Sequence, residues 1–168
     1  MSHTPRALNV LFLCTHNAAR SILAEALLND LGQGRFHAYS AGSHPRAHQR
    51  PNPLGIQVLR SAGIATDGLR SKSWDEFAAP GAPAMDLVIT VCDSAAGEVC
   101  PIWPGHPATA HWCHADPSEG GGTDAEKLGA FRNTLHAMKR QLERLVALPP
   151  DRLDPAVLQA SVRQLACD

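Results

Sequence analysis

The sequence predicts a three-layer α/β/α domain built on a mostly parallel, four-stranded sheet. Two short, almost continuous apolar runs, at residues 9–13 and 86–91, are typical of strands that are buried on both faces. Helix-like repeats of apolar side chains lie between the strand-like segments, and this alternation is the pattern of a parallel sheet covered by helices. Ligands of such sheets bind just beyond the carboxyl ends of the strands, so we expect the functional residues there.

The length of 168 residues suits one domain with a single core, and we assign residues 1–148 to it. Residues 149–168 form a tail that begins with two consecutive prolines, and the sequence beyond them permits one more helix. Fifteen basic and sixteen acidic residues give a formal charge of -1, which argues against binding to nucleic acid or to an anionic membrane. No apolar run approaches the roughly 20 residues that cross a bilayer. We therefore expect a cytoplasmic protein that acts as a monomer.

The first half of the chain alternates between the two kinds of element. Leucines recur every four positions from Leu23 to Leu31 and are followed by Gly32, which predicts a helix at residues 21–31. The other elements predicted in this half are strands at residues 9–13 and 36–40 and helices at residues 54–62 and 74–79.

The second half begins with the apolar strand at residues 86–91, and a last short strand is predicted at residues 110–113. From Thr123 to Leu145, apolar side chains recur at spacings of three and four. This spacing predicts a long amphipathic helix.

The segment that joins the first strand to the first helix is the strongest candidate for a site. Cys14 and Arg20 flank five loop residues, and Ser21 follows at the start of the helix. A loop in this place directs several backbone N–H groups at one point, and the positive end of the helix adds to their field, so an oxyanion is favoured there. The predicted oxyanion-binding residues are Thr15, His16, Asn17, Ala18, Ala19, Arg20 and Ser21.

The same loop predicts a nucleophilic role for Cys14. Its field should hold the sulfur as a thiolate, the form that attacks an electrophile, while Arg20 binds two oxygens of the anion. Ser21 is placed either to donate a hydrogen bond to the thiolate or to cap the helix, and Asn17 is a residue type that adopts left-handed backbone conformations. The alternative interpretation is a buried structural cysteine, with Arg20 on a solvated turn of the helix.

Five cysteines in a chain of this size are better interpreted as catalytic, redox or core thiols than as disulfide staples. Cys92 follows the second buried strand directly, and seven residues separate it from Cys100, so the two form either a redox pair or inert core thiols. Cys113 is interpreted as a strand residue and Cys167 as a bystander. No metal site is predicted, because the candidate ligands lack the paired two-residue gaps of zinc sites: Cys100, His111, Cys113 and His114.

Several short motifs occur together in this chain and in the order of one known family. They are Val10-Leu-Phe-Leu-Cys-Thr-His-Asn-Ala-Ala-Arg-Ser21, Ala24-Glu25, Tyr39-Ser-Ala-Gly42, Val91-Cys92, Cys100-Pro101, His111-Trp112 and Asp116-Pro117. This set resembles the arsenate reductases built on the low-molecular-weight tyrosine phosphatase fold. The resemblance implies that the chain has this fold and reduces arsenate to arsenite.

The phosphatases with this fold resemble the chain less closely. They usually carry a second Cys before the Arg, a Gly in the loop and a Pro after the Ser, where this chain has Ala19, His16 and Ile22. They also tend to follow the Asp-Pro pair with tyrosines, whereas residues 118–120 are Ser-Glu-Gly here. A low-molecular-weight tyrosine phosphatase is therefore kept as the alternative.

The resemblance also implies roles for individual residues. Thioredoxin-coupled arsenate reductases use three cysteines in a relay, and the matching positions here are Cys14, Cys92 and Cys100. Arsenate reduction takes two electrons, which one thiol supplies only together with a second thiol. By the same resemblance Arg20 binds the arsenate, and Asp116 protonates the oxygen that leaves as water.

No covalently bound cofactor is implied, only an external thiol reductant. Thioredoxin is the first expectation, with glutaredoxin and glutathione or mycothiol as alternatives. Phosphate or sulfate should mimic arsenate in the loop. Some relatives hold a potassium ion beside the loop, so potassium is carried as an open expectation without assigned ligands.

Three rival functions remain open from the sequence. A phosphatase would need Cys14, Arg20 and Asp116 but neither Cys92 nor Cys100. A binding protein for oxyanions or arsenic would use the loop without turnover. A reductase coupled to glutathione or mycothiol would need Cys14 alone among the thiols.

Overall fold

The computed structural model describes residues 7–91, 107–112, 114–118 and 121–167. Their strands form one sheet in which all neighbours are parallel, in the order β2-β1-β3-β4. The strands are β1 (Leu8–Cys14), β2 (Phe36–Gly42), β3 (Leu87–Thr90) and β4 (Ala108–His111). The predicted parallel sheet is confirmed.

Five α-helices accompany the sheet within the described residues. They are α1 (Arg20–Leu31), α2 (Pro53–Ser61), α3 (Asp75–Ala78), α4 (Asp124–Val146) and α5 (Pro155–Arg163), with 3₁₀ turns at Pro150–Leu153 and Gln164–Cys167. Side chains of Asn52 and Asp154 cap α2 and α5, and Thr123 forms a capping box with Glu126 at the start of α4. These caps satisfy amide groups that the first turn of a helix leaves without partners, and they fix where the helices begin.

The sheet separates two hydrophobic cores, because successive side chains of a strand point to opposite faces. Phe12 of β1 belongs to the larger core, which helices α1, α4 and α5 supply with buried side chains such as Leu27, Phe131 and Val162. Leu11 and Leu13 of the same strand belong to the smaller core, with Trp74 and Phe77 at α3. The layers α, β and α predicted from the sequence are therefore present.

The last strand differs from its prediction. It was expected at residues 110–113, and it runs from Ala108 to His111. Ala108 and Thr109 carry no strong apolar signal because β4 is an edge strand. Its outer edge is instead bonded by α5, whose Gln159 accepts from the Thr109 N–H at 3.0 Å and whose Arg163 donates to the Thr109 carbonyl at 3.0 Å. Cys113 lies outside the described residues.

The tail after Pro149 contains helix α5, which packs against β4 and the larger core. Its Val162 carbonyl accepts a hydrogen bond of 3.1 Å from the indole of Trp112. Among the described residues, no helix has the length and apolar character that a membrane span needs.

Candidate active site

Cys14 ends the central strand β1 at the carboxyl edge of the sheet, and only 3% of it is exposed. The chain then forms the loop 15–19 before α1. The connection after β2 holds the loop at its start, because the Ser43 N–H donates to the Cys14 carbonyl at 3.0 Å and the His44 N–H donates to the Thr15 carbonyl at 2.8 Å. Hydrogen bonds from the connection after β2 therefore hold Cys14 and the start of the loop in place.

Gly42, the last residue of β2, permits this close approach. A Cβ atom at this position would lie 2.7 Å from the Thr15 carbonyl oxygen and 2.9 Å from the His16 carbonyl carbon. Both atoms belong to backbone that cannot move aside without deforming the loop. The loop thus requires glycine at position 42 for steric reasons.

The remaining loop residues contact the surroundings mainly through the backbone. The Asn52 N–H donates to the Ala18 carbonyl at 2.8 Å, and Ala19 immediately precedes α1 with no side chain capping that helix. The Nδ1 of His16 donates to the His44 carbonyl at 2.9 Å, so the imidazole is tied to the neighbouring connection.

Asn17 organises the loop from inside. It is fully buried, and its φ of 56° lies in the left-handed region that Asn tolerates better than most residues. Its amide nitrogen donates to the hydroxyls of Ser21 at 2.7 Å and Ser40 at 3.0 Å. Its amide oxygen accepts from the Lys72 N–H at 2.9 Å. One side chain thereby connects the loop, α1, β2 and the segment before α3.

Ser21 resolves the alternatives left by the sequence in favour of a bond to the thiol. Its hydroxyl oxygen lies 2.8 Å from the Cys14 sulfur, and the residue does not cap α1. Because Asn17 already donates a proton to this hydroxyl oxygen, the hydroxyl's own proton is available to the sulfur. A hydrogen bond donated to sulfur stabilises the thiolate form.

Arg20 lies opposite Asp116. Its guanidinium donates to the His114 carbonyl at 2.9 Å, and its second terminal nitrogen lies 3.6 Å from Asp116 Oδ2. The other carboxyl oxygen of Asp116 accepts from the Ser118 N–H at 2.9 Å and from the Ser118 hydroxyl at 2.7 Å. The fold therefore brings together the two groups predicted to bind and to protonate the oxyanion.

His114, whose carbonyl binds Arg20, is harder to protonate than an ordinary histidine. Burial lowers the pKa of His114, and the nearby Arg20 charge acts in the same direction. Its Nε2 donates to the Gln141 side-chain oxygen at 2.6 Å, and the Gln141 nitrogen donates to the Leu165 carbonyl at 3.1 Å. The His114 ring thus links the site to α4 and, through Gln141, to the tail.

The polar group behind Asn17 was not predicted from the sequence. Ser40 donates to the carboxylate of Glu25, and its carbonyl accepts from the Lys72 ammonium at 2.8 Å. Lys72 also donates to the Arg70 carbonyl at 2.8 Å and lies 3.9 Å from Glu25. Glu25 and Ser40 stand in motifs that carry the family resemblance, but nothing local in the sequence connects either of them to Lys72.

These contacts do not fit a resident potassium ion beside the loop. Potassium takes oxygen ligands such as carbonyls and carboxylates. The oxygens at this place, from Ser40, Arg70 and Glu25, already face the Lys72 ammonium, which would repel a second cation. In the described ranges, no group of three or more His, Cys, Asp or Glu side chains could hold a metal ion.

Cys92 and Cys100, the other two members of the predicted relay, lie outside the described residues. The described chain reaches Val91, whose N–H donates to the Leu13 carbonyl at 2.8 Å. Val91 directly follows β3 and is thereby bonded to β1, and Leu13 and Val91 each directly precede a relay cysteine in the sequence.

Comparison with known proteins gives the family. A model of the family described as low molecular weight phosphotyrosine protein phosphatase matches residues 9–159. The chain belongs to this low molecular weight phosphotyrosine protein phosphatase family. Within it, the chain is 33% identical to the arsenate reductase of Halalkalibacterium halodurans over 134 residues, which cover 80% of this chain and 91% of the relative.

Solved structures of arsenate reductases show the same fold. An arsenate reductase in the oxidized state superposes with a TM-score of 0.65 at 27% identity, covering 83% of this chain and 96% of that one. A thioredoxin-dependent arsenate reductase of Corynebacterium glutamicum has a TM-score of 0.54 at 26% identity over 82% of this chain and 62% of its own. Among the sequence relatives, the glutaredoxin arsenate reductase of Synechocystis is 28% identical to this chain, and the match covers 82% of this chain and 95% of the relative.

Proposed function

We propose that the protein reduces arsenate to arsenite through Cys14 and an internal disulfide relay that an external dithiol protein regenerates. The observation that carries the proposal is the Cys14 thiol, buried beside an oxyanion loop and 2.8 Å from a hydroxyl whose proton is available to it. The reductases among its relatives and the thiols at positions 92 and 100 favour reduction over phosphate ester hydrolysis.

The first step is attack by Cys14 on arsenate. The loop N–H groups and Arg20 bind the oxyanion, and the Cys14 thiolate forms a bond to arsenic while one oxygen leaves. Asp116 protonates that oxygen, which departs as water, and such an acid contributes about 10²- to 10⁴-fold to the rate. The hydrogen bonds from Ser118 orient the Asp116 carboxyl so that Oδ2 faces Arg20.

The second step transfers the electrons. The Cys92 thiolate attacks the Cys14 sulfur and forms a disulfide, and the sulfur–arsenic bond breaks with its electron pair remaining on arsenic, which leaves as arsenite. Cys100 then attacks Cys92, releases Cys14 as a thiolate and leaves a Cys92–Cys100 disulfide. Two thiols thus supply the two electrons.

Thioredoxin is the proposed reductant of the final disulfide, with glutaredoxin as the second candidate, since relatives that depend on each are known. We place the reaction in the cytoplasm, where thiols are kept reduced. Phosphate should compete with arsenate for the loop because it is also a tetrahedral oxyanion.

The relay is tested by serine variants that stop the cycle at different points. With arsenate, Cys100→Ser should release about one arsenite per protein and accumulate a Cys14–Cys92 disulfide, because the thiol that clears it is absent. Cys92→Ser should release almost none with thioredoxin as reductant. Cys167→Ser, outside the relay, is the matched control and should turn over like the wild type. Peptide mapping under non-reducing conditions identifies each disulfide.

The same variants decide between the proposal and its rivals. An aryl phosphate turned over equally well by the wild type and Cys92→Ser, without arsenate reduction, would establish the phosphatase. Turnover of Cys92→Ser with glutathione or mycothiol would show that the internal relay is wrong.

A further inference from the structure

A lysine ammonium is buried directly behind the catalytic loop. Only 8% of the Lys72 side chain is exposed, and its ammonium donates to the carbonyls of Ser40 and Arg70, each at 2.8 Å. Glu25 provides the opposite charge at 3.9 Å, with 15% of its side chain exposed. The other charged groups that act on this pair are Arg70 and Glu76, which are paired with each other at the surface.

Lys72 is connected to the nucleophile by two routes that meet at Asn17. Its backbone N–H holds the Asn17 amide oxygen at 2.9 Å. Its ammonium holds the carbonyl of Ser40, whose hydroxyl accepts from the Asn17 amide nitrogen at 3.0 Å. Asn17 then donates to Ser21, which bonds to the Cys14 sulfur. The Ser40 hydroxyl, which accepts from Asn17, donates its own proton to a carboxylate.

That carboxylate is Glu25, and burial makes its charge costly. Desolvation raises the pKa of Glu25 and lowers the pKa of Lys72, so each group would be discharged more easily if the other were absent. A buried charge that loses its partner is strongly unfavourable. Without a cation at this place, Glu25 would take up a proton or draw in solvent, and the Ser40 hydroxyl would lose its fixed direction.

We propose that Lys72 is a built-in cation that positions Asn17 and the Cys14 loop through Glu25 and Ser40, and that it makes the protein independent of potassium. Its ammonium occupies the place among the oxygens of Ser40, Arg70 and Glu25 that a monovalent metal ion would need. Lys72 is a positioning residue: its contacts are with the network behind the loop. The proposal rests on the proposed function for its turnover assay only, since alkylation of Cys14 reports the loop without arsenate.

The experiment measures two properties of each variant in buffers of sodium, potassium or methylammonium chloride at equal ionic strength. The first is the pH at which iodoacetamide alkylation of Cys14 is half-maximal, followed by mass spectrometry of the Cys14 peptide. The second is arsenate turnover with thioredoxin. The wild type should give the same alkylation midpoint in all three salts and the same turnover within a factor of about 1.5.

Lys72→Ala should raise the alkylation midpoint and lower turnover by about 10-fold or more in sodium, because the cation and its two carbonyl contacts are lost. Methylammonium or potassium should restore at least part of both properties by entering the vacated space. Lys72→Met fills that space with an apolar chain and should not be rescued. Lys139→Ala, on an exposed face of α4, is the matched control and should behave as the wild type.

Three results would overturn the proposal. In the first, the wild type turns over several-fold faster in potassium than in sodium, or its alkylation midpoint differs between the two salts. In the second, Lys72→Ala has the same midpoint as the wild type. In the third, added cations rescue Lys72→Met as efficiently as Lys72→Ala. If Lys72→Ala does not fold, the double variant Glu25→Gln, Lys72→Met removes both charges and gives the same comparison, and an unshifted midpoint there counts against the proposal. If the wild type does not reduce arsenate but Lys72→Ala still has a shifted alkylation midpoint, the proposed function is refuted and this inference stands.

Discussion

Replacement of Asn17 by Ala or Gly tests how the loop is held. Both changes remove three hydrogen bonds of a fully buried side chain and leave the Lys72 N–H without its acceptor. At about 1 kcal/mol for each bond, either variant should lose about 3 kcal/mol of unfolding free energy. Ala must also adopt the φ of 56°, which costs about 1 kcal/mol more, whereas Gly adopts it without strain.

Urea unfolding followed by circular dichroism measures these losses, with Asn133→Ala on the exposed face of α4 as the control. Alkylation of Cys14 measures the second consequence. Without the Asn17 amide, the Ser21 hydroxyl is free to direct its proton elsewhere, so the alkylation midpoint should rise by about one pH unit, equivalent to about 1.4 kcal/mol. Equal stability of the Ala and Gly variants would refute the strain argument. An unchanged midpoint in both would refute the link from Asn17 to the thiolate.

Further predictions concern the close approach, the oxyanion and the buried carboxyl. Gly42→Ala should abolish arsenate turnover, because its Cβ would lie 2.7 Å from the backbone of the loop. The control Gly129→Ala has open space around it in α4 and should raise the unfolding free energy by up to about 1 kcal/mol. Arsenate turnover and urea unfolding are measured for both variants. Arg20→Lys should weaken phosphate binding and turnover by about 10-fold or more while the fold survives, and unchanged titration calorimetry with phosphate would place Arg20 outside the site. Phosphate or arsenate should protect Cys14 from iodoacetamide at mildly acidic pH, where the thiol should react ahead of the other cysteines; equal labelling of all five would exclude it as the nucleophile. Burial raises the pKa of Glu25 above its usual value of 4.5, so the contribution of this carboxyl to stability should decline as the pH rises past 4.5. Urea titrations should show this as a fall, with rising pH, in the stability of the wild type relative to Glu25→Gln.

Much of the fold could be predicted because its signals are local. The apolar run of β1, the spacing of leucines in α1 and the long repeat of α4 each report burial of a face by residues close in sequence. The edge strand β4 begins two residues earlier than predicted because hydrogen bonds from α5 stabilise Thr109, and a bond to a distant helix leaves no periodicity in the strand itself.

For the site, the sequence by itself determined that a Cys, a five-residue loop and an Arg stand between a buried strand and a helix. This order places the thiol at the carboxyl edge of the sheet in any fold of this class. Only the tertiary structure decided the rest. Arg20 binds the carbonyl of His114, which lies 94 positions later in the sequence and in the same segment as Asp116. Asn17 binds Lys72, which lies 55 positions later. Such contacts depend on where β2, β4 and the connection before α3 come together. A polar side chain can satisfy its hydrogen bonds with many partners or with water. The residue type alone therefore does not specify which partner the fold supplies.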